Sequence, residues 1–248
     1  MKKIAFYGKG GIGKSTTVSN IAVACAEQGM RVLQIGCDPK ADSTLALRHG
    51  EKLPSVLEMI RSKKNFVLEE VVREGYAGVI CAEAGGPLPG LGCAGRGIIT
   101  ALEKLRELGI YDIYQPDLVL YDVLGDVVCG GFAMPMRSGY AEQVYILTSG
   151  ENMSIHAAAN IAMALDHFKG RGYASLGGLI LNRRDVRREQ EKVEELANDF
   201  HTEIVGSLQH DLLVTEAEEE NKVLLECYPE SRIAAQYRAL AESILEGK

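Results

Sequence analysis

The chain has 248 residues, 46% of them apolar and 25% charged, and a formal net charge of −7. That length and balance describe a soluble globular protein with ample material for a large α/β core. The negative charge argues against a nucleic-acid binder that neutralises phosphates, and no apolar run approaches the ~18 residues of a membrane span. Met1-Lys2-Lys3 leads straight into a strand pattern, so no signal peptide and no membrane partner are expected, and the expected location is cytoplasmic.

Residues 3–7 read as a buried strand, followed at once by Gly8-Lys9-Gly10-Gly11-Ile12-Gly13-Lys14-Ser15. This is G-x-x-x-x-G-K-S, the phosphate-binding loop. Its glycines bring backbone N–H groups close to phosphate oxygens, Lys14 reaches the β/γ-phosphates, and the Ser15 hydroxyl can ligate Mg²⁺. Gly8-x-Gly10-x-x-Gly13 is also a dinucleotide fingerprint, with Asp38 at roughly the spacing of a ribose-binding acid. Lys14-Ser15 decides for the phosphate loop, because a dinucleotide pyrophosphate needs neither a lysine nor a magnesium ligand there. The spacing then predicts a helix from Ser15 to about Gln28, with Val18, Ile21, Ala22 and Cys25 inward, and a second strand over 31–36. A right-handed parallel strand–helix–strand unit follows. It sets Cys37-Asp38-Pro39-Lys40-Ala41-Asp42-Ser43-Thr44 at the carboxyl end of the sheet, where ligands of open parallel sheets bind.

Two short helical patterns occupy 55–73, and 78–82 reads as a strand. A Gly-rich loop over 83–97 then presents Cys93 just before a helix expected at 98–108, a setting that favours an anionic or metal-bound thiolate. Leu118-Val119-Leu120-Tyr121-Asp122 is an apolar strand closed by an acid, the second magnesium element of a phosphate-loop NTPase. Cys129 follows seven residues later in another Gly-rich stretch, close enough for motion at the nucleotide to reach it. Strands at 143–147 and 177–181 flank a helix at 153–169, and Asn182 ends the last strand where a base-contacting amide would sit. The basic run Arg183-Arg184 to Arg187-Arg188 reads as a solvated helix face, and amphipathic helices are expected at 187–199 and 229–246, the latter opened by Pro229 at N1. The predicted fold is α/β: one doubly wound, mostly parallel sheet over 1–248, a P-loop NTPase of the two-lysine, deviant Walker A type.

The second lysine, Lys9, has no obvious use at its own β-phosphate. It can instead reach a partner's γ-phosphate across a two-fold axis, which predicts a nucleotide-sensitive homodimer. Lys14, Ser15, Asp38 and Asp122 supply cradle, metal ligand and acids for metal and water. Of six cysteines, Cys25, Cys37, Cys81, Cys93, Cys129 and Cys227, none forms a C-x-x-C pair. A [4Fe–4S] cluster needs four thiolates, so Cys93 and Cys129 would suffice only when doubled across that axis. Buried structural thiols are the alternative reading.

The phosphate loop with Thr16-Thr17, the block 37–44, Gly85-Gly86-Pro87 with Gly92-Cys93-Ala94-Gly95-Arg96-Gly97, and the block 121–135 together resemble the nitrogenase iron protein family, nitrogenase-like reductases included. The resemblance covers nearly the whole chain. It implies a homodimer that carries one [4Fe–4S] cluster on Cys93 and Cys129 of each subunit. Such a dimer hydrolyses MgATP and passes electrons from a ferredoxin or flavodoxin to a larger nitrogenase or nitrogenase-like metalloprotein. It further implies that Asp126 assists hydrolysis, that Lys40 and Asp42 lie in one switch and Asp122–Cys129 in the other, that Asn182 contacts adenine, and that Arg96 matches a position ADP-ribosylated in some members. Three departures bear on the partner: Gln209-His210-Asp211 stands where the family usually reads Pro-Arg-Asp, residues 216–221 are acidic where it tends to be basic, and the long family tail is not seen after the last helix. A tetrapyrrole-reducing partner, of the coenzyme F430 or chlorophyll type, is therefore the alternative to nitrogenase, and a partition-type ATPase a remote one.

Overall fold

The computed structural model describes residues 1–63, 65–86, 94–125, 134–136, 139–170 and 172–247; Cys93, Asp126 and Cys129 lie outside them. In chain order the elements are β1 (Lys2–Gly8), α1 (Lys14–Glu27), β2 (Val32–Cys37), α2 (Val56–Ser62), β3 (Val72–Glu74), β4 (Ile80–Glu83), α3 (Ala94–Glu107), α4 (Ile110–Tyr114) and β5 (Leu118–Val123). They continue with β6 (Gln143–Thr148), α5 (Asn152–His167), β7 (Ser175–Asn182), α6 (Glu189–Asp199), β8 (Ile204–Leu208), α7 (Leu212–Glu219), α8 (Leu224–Cys227) and α9 (Arg232–Glu246).

The strands form one sheet in the order β3-β4-β2-β5-β1-β6-β7-β8. Every pairing is parallel except β3 with β4. The central strands are covered on both faces, which is why they read as unbroken apolar runs rather than alternating ones. Alternate residues of β1 show the two cores. Ile4 and Phe6 face a layer with α1 and α9, whereas Ala5 and Tyr7 face a layer with α3, α5 and α6. Burying side chains of this size contributes about 1.5–3 kcal/mol each, so β1 is anchored from both sides before it releases the chain at Gly8.

The expected strands and long helices are present, with small shifts. α3 starts at Ala94, four residues before the expected position, so the helix begins at the residue after Cys93. β3, β8, α4, α7 and α8 were not anticipated; each is short, and its periodicity is too brief to register. α1 is buried around most of its circumference, including Thr17, Ser19 and Asn20, because α9 closes its outer side. Pro229 is not the first residue of α9. Ser231 is the N-cap: its hydroxyl accepts from the Ala234 N–H at 3.2 Å and donates to the Tyr228 carbonyl at 2.7 Å. A side chain that satisfies a free helix N–H sets the boundary, and the proline merely precedes it. Ser231→Ala should therefore cost about 1 kcal/mol, read as a lower urea midpoint with an unchanged slope for the metal-free protein.

Candidate functional site

The carboxyl ends of β1, β2, β5 and β7 bring the phosphate loop, the 38–44 loop, Asp122 and Asn182 to one edge of the sheet. α1 opens there on Gly13, which has φ 88° and offers no capping side chain, and no acid occupies its first turn. The free N–H groups and the positive end of the helix therefore face the cavity. Lys9, Gly10, Gly11, Gly13, Lys14, Ser15, Thr16, Asp38, Lys40 and Asn182 line that cavity. Gly8 and Ile12 support it from beneath, since both are buried.

At its floor Lys14 Nζ lies 2.5 Å from Asp122 Oδ1, with the two side chains 8% and 0% exposed. Ser43 Oγ donates to Asp122 Oδ2 at 2.6 Å, and the Ser15 hydroxyl bonds the same carboxylate. Burial opposes the Asp122 charge. The Lys14 ammonium and these hydroxyl bonds outweigh it and hold the carboxyl below its usual value. Ser15 and Asp122 are thus adjacent at the floor of the cavity.

Asn182 lines the cavity, and its amide donates to the Ile12 carbonyl at 2.7 Å, so it braces the cradle. Arg184 corrects the reading of the basic run as a solvated face. Its guanidinium donates to the Gly11 carbonyl at 3.2 Å and lines the cavity, while Arg183 pairs with buried Glu189 at 3.2 Å and bonds Ser207 at 3.0 Å. Arg187 and Arg188 fit the original reading: both are exposed, and Arg188 pairs with Glu191. Asp38 accepts from the Lys40 N–H at 2.9 Å, closing its own turn, and Lys9 and Lys40 extend from the loops on either side. Near the mouth, His210 pairs with Asp185 at 3.3 Å, Asp211 caps α7 through the Leu213 N–H, and Glu218 accepts from the Thr16 hydroxyl.

Two close backbone approaches connect this cavity to the cysteine-bearing segments. A Cβ at Gly125 would stand 2.2 Å from the Gly8 carbonyl oxygen. Only glycine lets the chain that leaves β5 toward Cys129 rest on the start of the phosphate loop. Likewise a Cβ at Gly86 would stand 2.4 Å from Pro39 Cβ, so the chain that leaves β4 toward Cys93 rests on the 38–44 loop.

Cys25, Cys37 and Cys81 are buried. Burial pushes the Cys25 and Cys81 thiols up to about 12 and raises Cys37 as well, which suits packed thiols rather than thiolate ligands. Among the described residues no cluster of three His, Cys, Asp or Glu suits a metal. Cys93 and Cys129, the pair expected to hold an iron–sulfur cluster, lie outside the described residues. Arg96 is exposed in the first turn of α3.

Sequence reasoning gave no role to Gln34, Thr44 and Glu83. Gln34 Nε2 donates to Ser19 Oγ, Ser43 O and Ser43 Oγ, each at 3.1 Å, tying the 38–44 loop to α1. Glu83 is fully buried at the end of β4 and receives both the backbone N–H and the hydroxyl of Thr44 at 2.7 Å. Burial pushes its carboxyl up to about 8 despite those bonds, and the charges of Asp122 and Asp42 add to the rise. The available signal was an acid closing an apolar strand, the same pattern that marked Asp122.

The chain and its fold have known counterparts. The family model described as 4Fe-4S iron sulfur cluster binding proteins, NifH/frxC family, matches residues 2–248. A nitrogenase iron protein from Methanococcus voltae is 48% identical over 250 residues, covering 100% of this chain and 90% of its own. Nitrogenase iron protein 2 from Methanothermobacter thermautotrophicus is 51% identical over 246 residues, covering 98% and 89%. Among solved structures, the cell division ATPase MinD of Pyrococcus furiosus superposes with a TM-score of 0.76, covering 99% of both chains, at 22% identity; it shares the fold. With a whole-length family match and relatives near half identity, this chain belongs to the iron–sulfur cluster binding family of nitrogenase iron proteins, ATP-dependent oxidoreductases that bind a [4Fe–4S] cluster and MgATP.

Proposed function

We propose that the protein works as a single-domain subunit of a homodimer that hydrolyses MgATP to time electron delivery to a nitrogenase or nitrogenase-like metalloprotein, with a ferredoxin or flavodoxin as its own electron source. The observation that carries this reading is the buried Lys14–Asp122 pair lying directly before Gly125, which rests on the phosphate loop. A nucleotide cannot engage Lys14 without disturbing the carboxylate at the root of the segment that leads to Cys129.

In this reading Lys14 exchanges Asp122 for the β/γ-phosphates, and the backbone of Gly8–Gly13 with Ser15 and Thr16 wraps them. Ser15 and Asp122 hold Mg²⁺. Asp38 and Asp126 orient and deprotonate the attacking water, Lys40 contributes charge from the same loop as Asp38, and Lys9 stabilises the partner's γ-phosphate as charge develops in the transition state. Asn182 contacts adenine once its bond to the loop is shared. Cys93 and Cys129 from each subunit would hold the [4Fe–4S] cluster, which would supply a one-electron redox couple. Exposed Arg96, three residues beyond Cys93, is open to ADP-ribosylation and would then block docking of the metalloprotein. Work takes place in the cytoplasm without nucleic acid, in keeping with the net charge of −7, and no helix among the described residues is long and apolar enough to cross a membrane.

Two measurements test this reading. Protein isolated without oxygen should contain about four irons per dimer; Cys93→Ser or Cys129→Ser should remove them, and a metal-free dimer after reconstitution would refute the cluster assignment. Small-angle scattering should show the dimer compacting with MgATP, and Lys9→Ala should abolish that compaction while nucleotide binding stays within about threefold, or ~0.6 kcal/mol. Unchanged compaction in Lys9→Ala would refute the contact in trans.

A further inference from the structure

Glu83 is the fully buried acid that the mechanism above does not use. Its Oε1 takes two hydrogen bonds from Thr44, while its Oε2 is buried and has no hydrogen-bond partner among the described residues. That is an expensive arrangement in a well-packed core, where an apolar side chain of the same size would serve stability better. Its position suggests what the acid does instead. β4 lies against β2 with Glu83 opposite Gly36, and the carboxyl occupies the space a side chain at Gly36 would take. Immediately after Glu83, the Ala84 N–H donates to the Gly36 carbonyl at 2.8 Å, and Gly86 rests on Pro39. The other end of the 38–44 loop is held by Ser43, which bonds both Gln34 and Asp122. A displacement of the loop at Asp122 therefore pulls on Thr44, and Thr44 pulls on Glu83.

We propose that Glu83 is a positioning residue that fastens the 38–44 loop to the root of the segment carrying Cys93, giving the nucleotide a second route to the cluster cysteines beside the one from Asp122 to Cys129. The inference rests on the proposed nucleotide-gated function and deepens it: each of the two cysteines has its own strand-end acid, Asp122 seven residues before Cys129 and Glu83 ten residues before Cys93. The two acids act through different chemistry. Asp122 is charged and trades its ammonium partner for Mg²⁺, whereas Glu83, its carboxyl pushed up to about 8, serves as a neutral acceptor near pH 7. Glutamine should therefore replace it, and leucine should not.

The test is amide hydrogen exchange on the full-length protein, isolated without oxygen, with and without MgATP, followed in peptides spanning 80–86 and 118–125. Wild type and Glu83→Gln should show nucleotide-dependent protection in both. Glu83→Leu and Thr44→Val should lose the response at 80–86 and keep it at 118–125, with ATP affinity unchanged. Retention of the 80–86 response in Glu83→Leu and Thr44→Val would overturn the proposal. So would loss of ATP binding in Thr44→Val, which would make the contact a support of the pocket rather than a link out of it. Absence of a response at both peptides in wild type would instead count against nucleotide gating itself.

Discussion

Everything at this site depends on one buried ion pair. Lys14 and Asp122 are out of water, and removing one partner from such a pair costs about 3–5 kcal/mol because the other charge is stranded. Phosphate alone is thus a poor replacement partner: drawing Lys14 away leaves Asp122 buried and unneutralised. In the proposed reading, Asp122 and Ser15 would hold Mg²⁺ brought with the phosphates, and the ion would supply the missing positive charge. The pair would then select for the metal–nucleotide complex and make its arrival a discrete exchange of partners.

Such an exchange matters because close-packed backbones surround it. Gly125 on Gly8 and Gly86 on Pro39 leave no slack between the nucleotide loops and the two segments that run to the cysteines. Gln34, Ser43 and Thr44 pin the 38–44 loop to α1, β5 and β4. Packed interiors respond to small shifts by moving between discrete arrangements rather than by deforming smoothly. Nucleotide binding energy has few other places to go. A cell division ATPase shares this fold.

The parts legible in the sequence were those with a dense local signal. The phosphate loop, Asp122 after four apolar residues, and the long helices all announce themselves within a few positions. The Lys14–Asp122 pair itself was not legible: the sequence set both at carboxyl ends of parallel strands but gave Lys14 to phosphate and Asp122 to magnesium. What stayed hidden is made by neighbours distant in sequence. Glu83 and Thr44 are separated by 39 residues, and Arg184 and Gly11 by 173. Arg184 was misread because a run of arginines before a run of glutamates looks like helix-surface pairing, and only the turn after β7 aims one of them at the loop. Pro229 misled in a smaller way: its position suggested a helix start, but the serine two residues on has the side-chain acceptor that a helix end requires.

The central claim is that nucleotide state at Lys14 and Asp122 governs the surroundings of the cluster. It is tested most directly by timing how fast a ferrous-iron chelator strips the iron–sulfur protein in the absence of nucleotide, with MgADP and with MgATP. The account predicts a clear change in rate with MgATP that is absent with ATP and no magnesium. Identical rates with and without MgATP would contradict it.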